Sequence, residues 1–159
     1  MDKKTKYAYL STIRGLTGND DGHKVYVVSG APASGKTTYV KEHMKKGDLV
    51  FDLDYICAAL AATSLTYEDH EPVLDVALAI RDTVYEMIQS RDGNWNNAYV
   101  ITASKDVGEV RRLVRDLDAD HIHIDTPQCK CIENAKADPL RQATLNRQLE
   151  LINDYFYNN

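Results

Sequence analysis

Apolar residues enter this chain in two rhythms, short unbroken runs and stripes at three- or four-residue spacing, and the two alternate. Val25 to Ser29 is a β-branched run that stops at Gly30, the mark of a buried central strand followed by a turn. The period then changes. Lys36 through Lys45 suits a helix, and Gly47 stands where a glycine stop closes one. Leu49 to Leu53 reads as a second strand, closed by Asp54, before an alanine-rich helix from about Tyr55 to Ala62 and a loop over Thr63 to Asp69. Val73, Val76, Ala77, Ile80, Val84, Met87 and Ile88 form the apolar stripe of a longer helix from about Glu71 to Ser90, with Pro72 tolerated in its first turn.

Arg91 to Asn97 reads as a turn, and Ala98 to Thr102 as a third strand. Asp106 and Glu109 are spaced as a capping box in front of an amphipathic helix carrying Val107, Val110, Leu113, Val114 and Leu117. His121 to Ile124 is a fourth strand, ended by Asp125, Thr126 and Pro127. The remainder is helical, broken at Asp138-Pro139, with a last helix on Leu145, Leu149, Ile152 and Phe156. Ahead of all this, residues 1–24 are polar apart from Tyr7, Tyr9, Leu10 and Ile13, and read as a loosely structured lead-in to a domain over 25–159.

Strands alternating with helices predict an α/β fold, a parallel sheet covered on both faces. Ligands of such sheets bind beyond the carboxyl ends of the strands, which selects Gly30 to Thr37, Asp52 to Asp54, Thr102 to Asp106 and Asp125 to Thr126. At 159 residues the chain suits one domain, and 19 Lys and Arg against 24 Asp and Glu give a net charge of -5. A nucleic-acid contact would therefore use a local basic patch and not a broad coating surface. Three cysteines, no charged-then-apolar leader and no apolar run near the ~18 residues of a spanning helix lead us to expect a reducing cytoplasmic setting, with no membrane contact. Oligomeric state is not readable.

Gly30-Ala31-Pro32-Ala33-Ser34-Gly35-Lys36-Thr37 satisfies G-x-x-x-x-G-K-[ST], the Walker A pattern, between a strand and a helix. Glycine at both ends lets the backbone curl so that successive N–H groups point at phosphate oxygens, and the following helix N-terminus adds positive potential. Lys36 would reach the β- and γ-phosphates, and Thr37 would place its hydroxyl on Mg²⁺, with Thr38 the next residue of the loop's helix start. Asp52 and Asp54 close the second strand on one side of it. One carboxylate there would accept a proton from an attacking hydroxyl or hold metal-bound water, and one would cap the helix beginning at Tyr55.

These blocks, Val27 to Tyr39 and Phe51-Asp52-Leu53-Asp54-Tyr55, with Ile124-Asp125-Thr126-Pro127 in support, resemble small P-loop kinases of the polynucleotide-kinase type, including phage-encoded ATPase-like proteins. The resemblance implies a three-layer P-loop NTPase fold with a short helical lid. It also implies ATP and Mg²⁺ as cofactors, and transfer of the γ-phosphoryl group to a hydroxyl on a nucleic-acid 5' end, a nucleoside or a small metabolite. In that family the aspartate after the second strand is the general base, which falls on Asp54, leaving Asp52 with Thr37 for the metal. Lid arginines fall on Arg141 and Arg147, with Lys130 and Lys136 as lesser candidates. The third strand ends Thr102-Ala103-Ser104 where many such kinases carry an aspartate, so that role is missing or moved to Ser104 or Asp106. An ATPase or nucleotide-sensing module acting on a protein partner is the alternative, but no strand-ending Asp-Glu pair is visible for it.

Other features have plainer explanations. His121 and His123 share a strand face near Cys129-x-Cys131, but structural zinc usually uses C-x-x-C spacing. Most of the ten tyrosines fall where packing accounts for them. Arg111, Arg112 and Arg115 form a dense basic cluster that reads as a solvated helix face.

Overall fold

The computed structural model describes residues 23–63 and 71–157. The expected lead-in and the loop after Thr63 lie almost wholly outside those residues. The described chain runs β1 (Val25–Ser29), α1 (Lys36–His43), β2 (Leu49–Phe51), α2 (Leu53–Leu60), α3 (Glu71–Gln89), β3 (Ala98–Thr102), α4 (Val107–Asp116), β4 (Asp120–His123), α5 (Gln128–Ala137), a 3₁₀ helix (Pro139–Thr144) and α6 (Leu145–Tyr157). All four strands are parallel in the order β2-β3-β1-β4, with Val27 opposite both Val100 and His121.

The two central strands, β1 and β3, are mostly apolar on both faces because both faces are covered there, whereas the edge strand β4 is polar and largely exposed. Val25, Val27, Ala98, Val100 and Phe51 pack on one face against Ile88 of α3 and Val110 of α4. Val28, Tyr99 and Ile101 pack on the other against Val40 of α1. The chain leaving β1 thus crosses to one face and the chain leaving β3 to the opposite face. That reversal opens a crevice at the carboxyl ends of these neighbouring strands. A third cluster joins Ala31, just past β1, to Cys131 and Ala135 of α5 and Ile152 of α6, the last three fully buried.

Element ends differ from the sequence expectation where a side chain or a backbone turn intervenes. α1 stops at His43 because Met44 is extended, at ψ 151. β2 stops at Phe51, two residues early, because the Asp52 carboxylate accepts the Asp54 N–H at 3.0 Å and starts a helix there. The Asp106–Glu109 capping box is half formed. Asp106 accepts from the N–H groups of Gly108 and Glu109, but the Glu109 carboxylate turns instead to the Ser104 hydroxyl at 2.5 Å. No helix among the described residues is long and apolar enough to cross a membrane.

Candidate functional site

The loop after β1 is shaped by positions that a normal L-residue disfavours. Gly30 has φ 150, and a Cβ there would stand 2.7 Å from the Ile124 carbonyl oxygen and 2.8 Å from Ser34 Oγ. Gly35, at φ 98, is the N-cap of α1. Between them Ala33 takes φ 59, the left-handed region, without being glycine. Lys36 closes the loop on itself: its ammonium donates to the carbonyls of Gly30 at 2.9 Å and Ala31 at 2.6 Å. Burial, and then the charge of Arg141, push its pKa down to about 8, while Asp52, Cys131 and Asp54 pull the other way.

Asp52 and Asp54 do not sit side by side on a strand. Asp52 is the N-cap of α2 and Asp54 lies in its first turn, a correction that follows from the cap already described. Burial, and then the neighbouring Asp54 charge, lift the Asp52 pKa to about 6. The Asp54 N–H, Lys36 and the Thr37 side chain oppose that rise. Thr37 and Asp52, the pair expected to hold a metal, thus lie close enough to influence one another and line the same cleft.

A cleft of about 1480 Å³ opens over the carboxyl ends of the strands. It gathers Lys36, Thr37, Asp52, Asp54, Arg141 and Arg147 from four separate stretches of chain. Pro32, Ala33, Ser34, Gly35 and Thr38 also line it, whereas Gly30 and Ala31 do not and instead hold Lys36 by their carbonyls. The two arginines differ in kind. Arg141 is buried, donating to Asp138 at 3.2 Å and to Gln148 Oε1 at 2.5 Å. Arg147 is exposed and loosely paired with Glu150 at 3.3 Å. Lys130 pairs with Glu133 at 3.1 Å, and neither it nor Lys136 lines the cleft.

The cleft residues that carry no site signal in the sequence include three with telling surroundings. Arg112 lines the cleft with Glu109, Leu113 and Asp116 while staying exposed, so the solvated helix face expected of it also forms part of the cleft's rim. Residues 109, 112, 113 and 116 share one helix face, a spacing that was available as a signal. Arg81 arrives from α3, ion-paired with Asp82 at 2.8 Å and with its guanidinium 6.0 Å from the Tyr85 ring centroid. Glu109 is the third. Ser104 lines the cleft at the end of β3, while Asp106 is committed to capping α4 and lies outside it. His121 Nε2 and His123 Nδ1 lie 2.7 and 2.9 Å from the buried Ser29 hydroxyl, as their shared face requires. Cys129 is exposed and Cys131 is buried in the third cluster, and no three His, Cys, Asp or Glu side chains among the described residues gather as a metal-holding group.

No family model matches the chain, and no curated protein matches its sequence. Among solved structures it is similar to the Pnkp1/Rnl/Hen1 RNA repair complex, with a TM-score of 0.52 at 12% identity over 90% of this chain and 48% of that one. It is also similar to the tunicamycin resistance protein of Deinococcus radiodurans, with a TM-score of 0.46 at 17% identity over 83% and 79% of the two chains. The chain spans about half the length of the repair-complex chain. The fold is α/β, a parallel four-stranded sheet flanked by helices, and it is this fold that the chain shares with the repair-complex chain.

Proposed function

We propose that this cleft binds ATP with Mg²⁺ and moves the γ-phosphoryl group to a hydroxyl acceptor. The observation that carries the reading is the convergence of Lys36, Thr37, Asp52 and Asp54 in one cleft beside a curled glycine loop. The residues suit the ligands. Ser34 Oγ is buried with no hydrogen-bond partner among the described residues, and Lys36 is a buried cation. Phosphate oxygens would satisfy both. Thr37 and Asp52 offer the hard oxygen donors that Mg²⁺ prefers, and would hold it where it neutralises phosphate charge.

The chain's own part is positioning and charge. The loop amides and the N-terminus of α1 orient the phosphates, and Lys36 exchanges its two carbonyls for phosphate oxygens. Arg141, held by Asp138 and Gln148, presents a fixed guanidinium, and Arg147 a movable one, to the charge that grows during transfer. Asp54 accepts the acceptor's hydroxyl proton.

The acceptor range is a nucleic-acid 5' end, a nucleoside or a small metabolite. On the α2–α3–α4 wall, Asp54, Glu71, Asp82 and Glu109 outnumber Arg81 and Arg112. That balance supports a small acceptor of little negative charge over a polyanionic strand. The test is transfer of label from γ-labelled ATP to a panel of 5'-hydroxyl oligonucleotides, nucleosides and polyhydroxylated small molecules. Labelled product from at least one acceptor, absent with Lys36→Ala, is expected. Release of phosphate to water alone with every acceptor class would replace this reading with an ATPase acting on a protein partner.

A further inference from the structure

Two side chains from outside the phosphate loop reach into it and hold it by its carbonyl oxygens. Thr126 Oγ1, just ahead of α5, donates to the Ser34 carbonyl at 2.8 Å. Asn134 Nδ2, midway along α5, donates to the Ala33 carbonyl at 3.0 Å. Both acceptors lie more than ninety residues away in sequence, so these bonds are a product of the fold.

Their geometric effect follows from the planar peptide. In a trans unit the C=O and the following N–H point in opposite directions, and the described chain has no cis bond. Fixing the Ser34 carbonyl therefore fixes the direction of the Gly35 N–H, the donor at the start of α1. The peptide between Ala33 and Ser34 is held at both ends, its carbonyl by Asn134 and its N–H by the Ala31 carbonyl at 3.1 Å. Ala33 sits between these anchors at φ 59, a conformation that a residue with a Cβ keeps only when its surroundings hold it. Beneath the loop, Ala31 packs on Cys131, Ala135 and Ile152, so the helix that supplies Asn134 is itself seated on the loop.

We propose that Thr126 and Asn134 are positioning residues that keep the phosphate loop in its binding conformation, and so couple the seating of α5 and α6 to nucleotide affinity. The proposal rests on the loop being the nucleotide site. Thr126 does not line the cleft and Asn134 lines it beside the loop, and both hold the loop through its carbonyls. It follows that the helical segment expected to close as a lid is seated at α5 before nucleotide arrives, which leaves movement to the exposed Arg147 side.

Thr126→Val removes the donor and keeps the shape, and Thr126→Ser restores the donor. Isothermal titration of MgATP should show Kd raised about five- to tenfold in Thr126→Val and in Asn134→Ala, with Thr126→Ser near wild type. Turnover at saturating ATP should stay within about twofold, an effect on KM and not on kcat. In the nucleotide-free protein, the Ser34 and Gly35 amides should exchange faster in both weakened variants, whether or not ATP binds. A wild type without MgATP affinity would remove the proposed function, and unchanged amide exchange would independently remove the clamp. Folded variants with wild-type Kd would overturn the clamp and leave the kinase reading standing. If Asn134→Ala does not fold, the isosteric Thr126 pair decides the matter.

Discussion

Moving from pH 7 to pH 9 should weaken MgATP binding about tenfold, through a single side chain. Lys36 has its pKa pushed down to about 8, chiefly by burial and next by Arg141. It is then about nine-tenths protonated at pH 7 and about one-tenth at pH 9. If the ammonium form is the one that meets phosphate, the loss is close to tenfold, or about 1.4 kcal/mol. Phosphate oxygens favour the charged form, so binding at pH 8 should also draw in about half a proton. Titration calorimetry at pH 7, 8 and 9, in two buffers of unlike ionisation enthalpy, reads both quantities together. Lys36→Arg keeps its charge throughout and should show a flat profile. A wild-type Kd that does not change between pH 7 and 9, with no proton uptake, would refute the argument that Lys36 sits in a desolvated site facing phosphate.

The same arithmetic says what these groups do to the free protein. Asp52 has a folded-state pKa raised from 3.8 to about 6, so the stability gained from its neutral form is complete below the unfolded value and is lost as pH rises through about 6. Lys36 is depressed from 10.5 to about 8, so its contribution is complete above 10.5 and is lost as pH falls through about 8. Near pH 7 both groups sit in their less favoured, charged forms, which is the state that phosphate and a cation would relieve.

The remaining predictions concern single side chains. Asp52→Asn keeps the cap on α2, because asparagine caps as well as aspartate, and removes a buried charge. It should stabilise the nucleotide-free protein by about 1–3 kcal/mol at pH 7.5 in denaturant titration while weakening Mg²⁺-dependent nucleotide binding, and a loss of stability would contradict the burial argument. Asp54→Asn should lower turnover by about 10² to 10⁴ with ATP affinity nearly intact, and normal turnover would move the base elsewhere. Arg141→Ala should cost about 1–3 kcal/mol of stability because it leaves buried Gln148 Oε1 without the Arg141 donor and removes the ion pair to Asp138 Oδ2, whereas Arg147→Ala should stay within about 0.5 kcal/mol and reduce turnover more than binding. Equal stability costs for the two arginines would deny the distinction.

What the sequence disclosed depended on whether one local rule governed the residue. The Val25–Ser29 run and the loop beyond it were legible because a buried strand, a glycine pair and a lysine at fixed spacing each have a single cheap explanation. β2 was read two residues too long because Phe51-Asp52-Leu53-Asp54 alternates like a strand, and a capping bond within two residues outweighs that weak pattern. Arg112 is exposed, as a solvated helix face predicts, but its place on the cleft rim beside Leu113 and Glu109 depends on which side of α4 the fold turns toward the strand ends. Thr126 fell in the Asp125–Thr126 stretch selected beyond the fourth strand, but nothing marked it or Asn134 as a partner of the loop. Their role exists only where α5 meets a loop more than ninety residues earlier.

That contrast bears on how nucleotide specificity and catalysis would be divided in this fold. The loop's composition is local and suits the proposed phosphate site, but its own bonds leave the Ala33 and Ser34 carbonyls to partners outside it, and Ala33 holds a left-handed turn without being glycine. Support comes from the segment that also carries Arg141 and Arg147. Because one body both braces the loop and bears the arginines, a change that unseats α5 from Ala31 must disturb ground-state binding and charge neutralisation together. Ile152, fully buried between α6 and the loop, is such a contact: shortening it to alanine would open a cavity costing about 2–5 kcal/mol. Asp54, on the opposite wall, is independent of that bracing. Mutations in the two walls should therefore add in their effects on kcat/KM, whereas mutations of Asn134 and Ile152 should not.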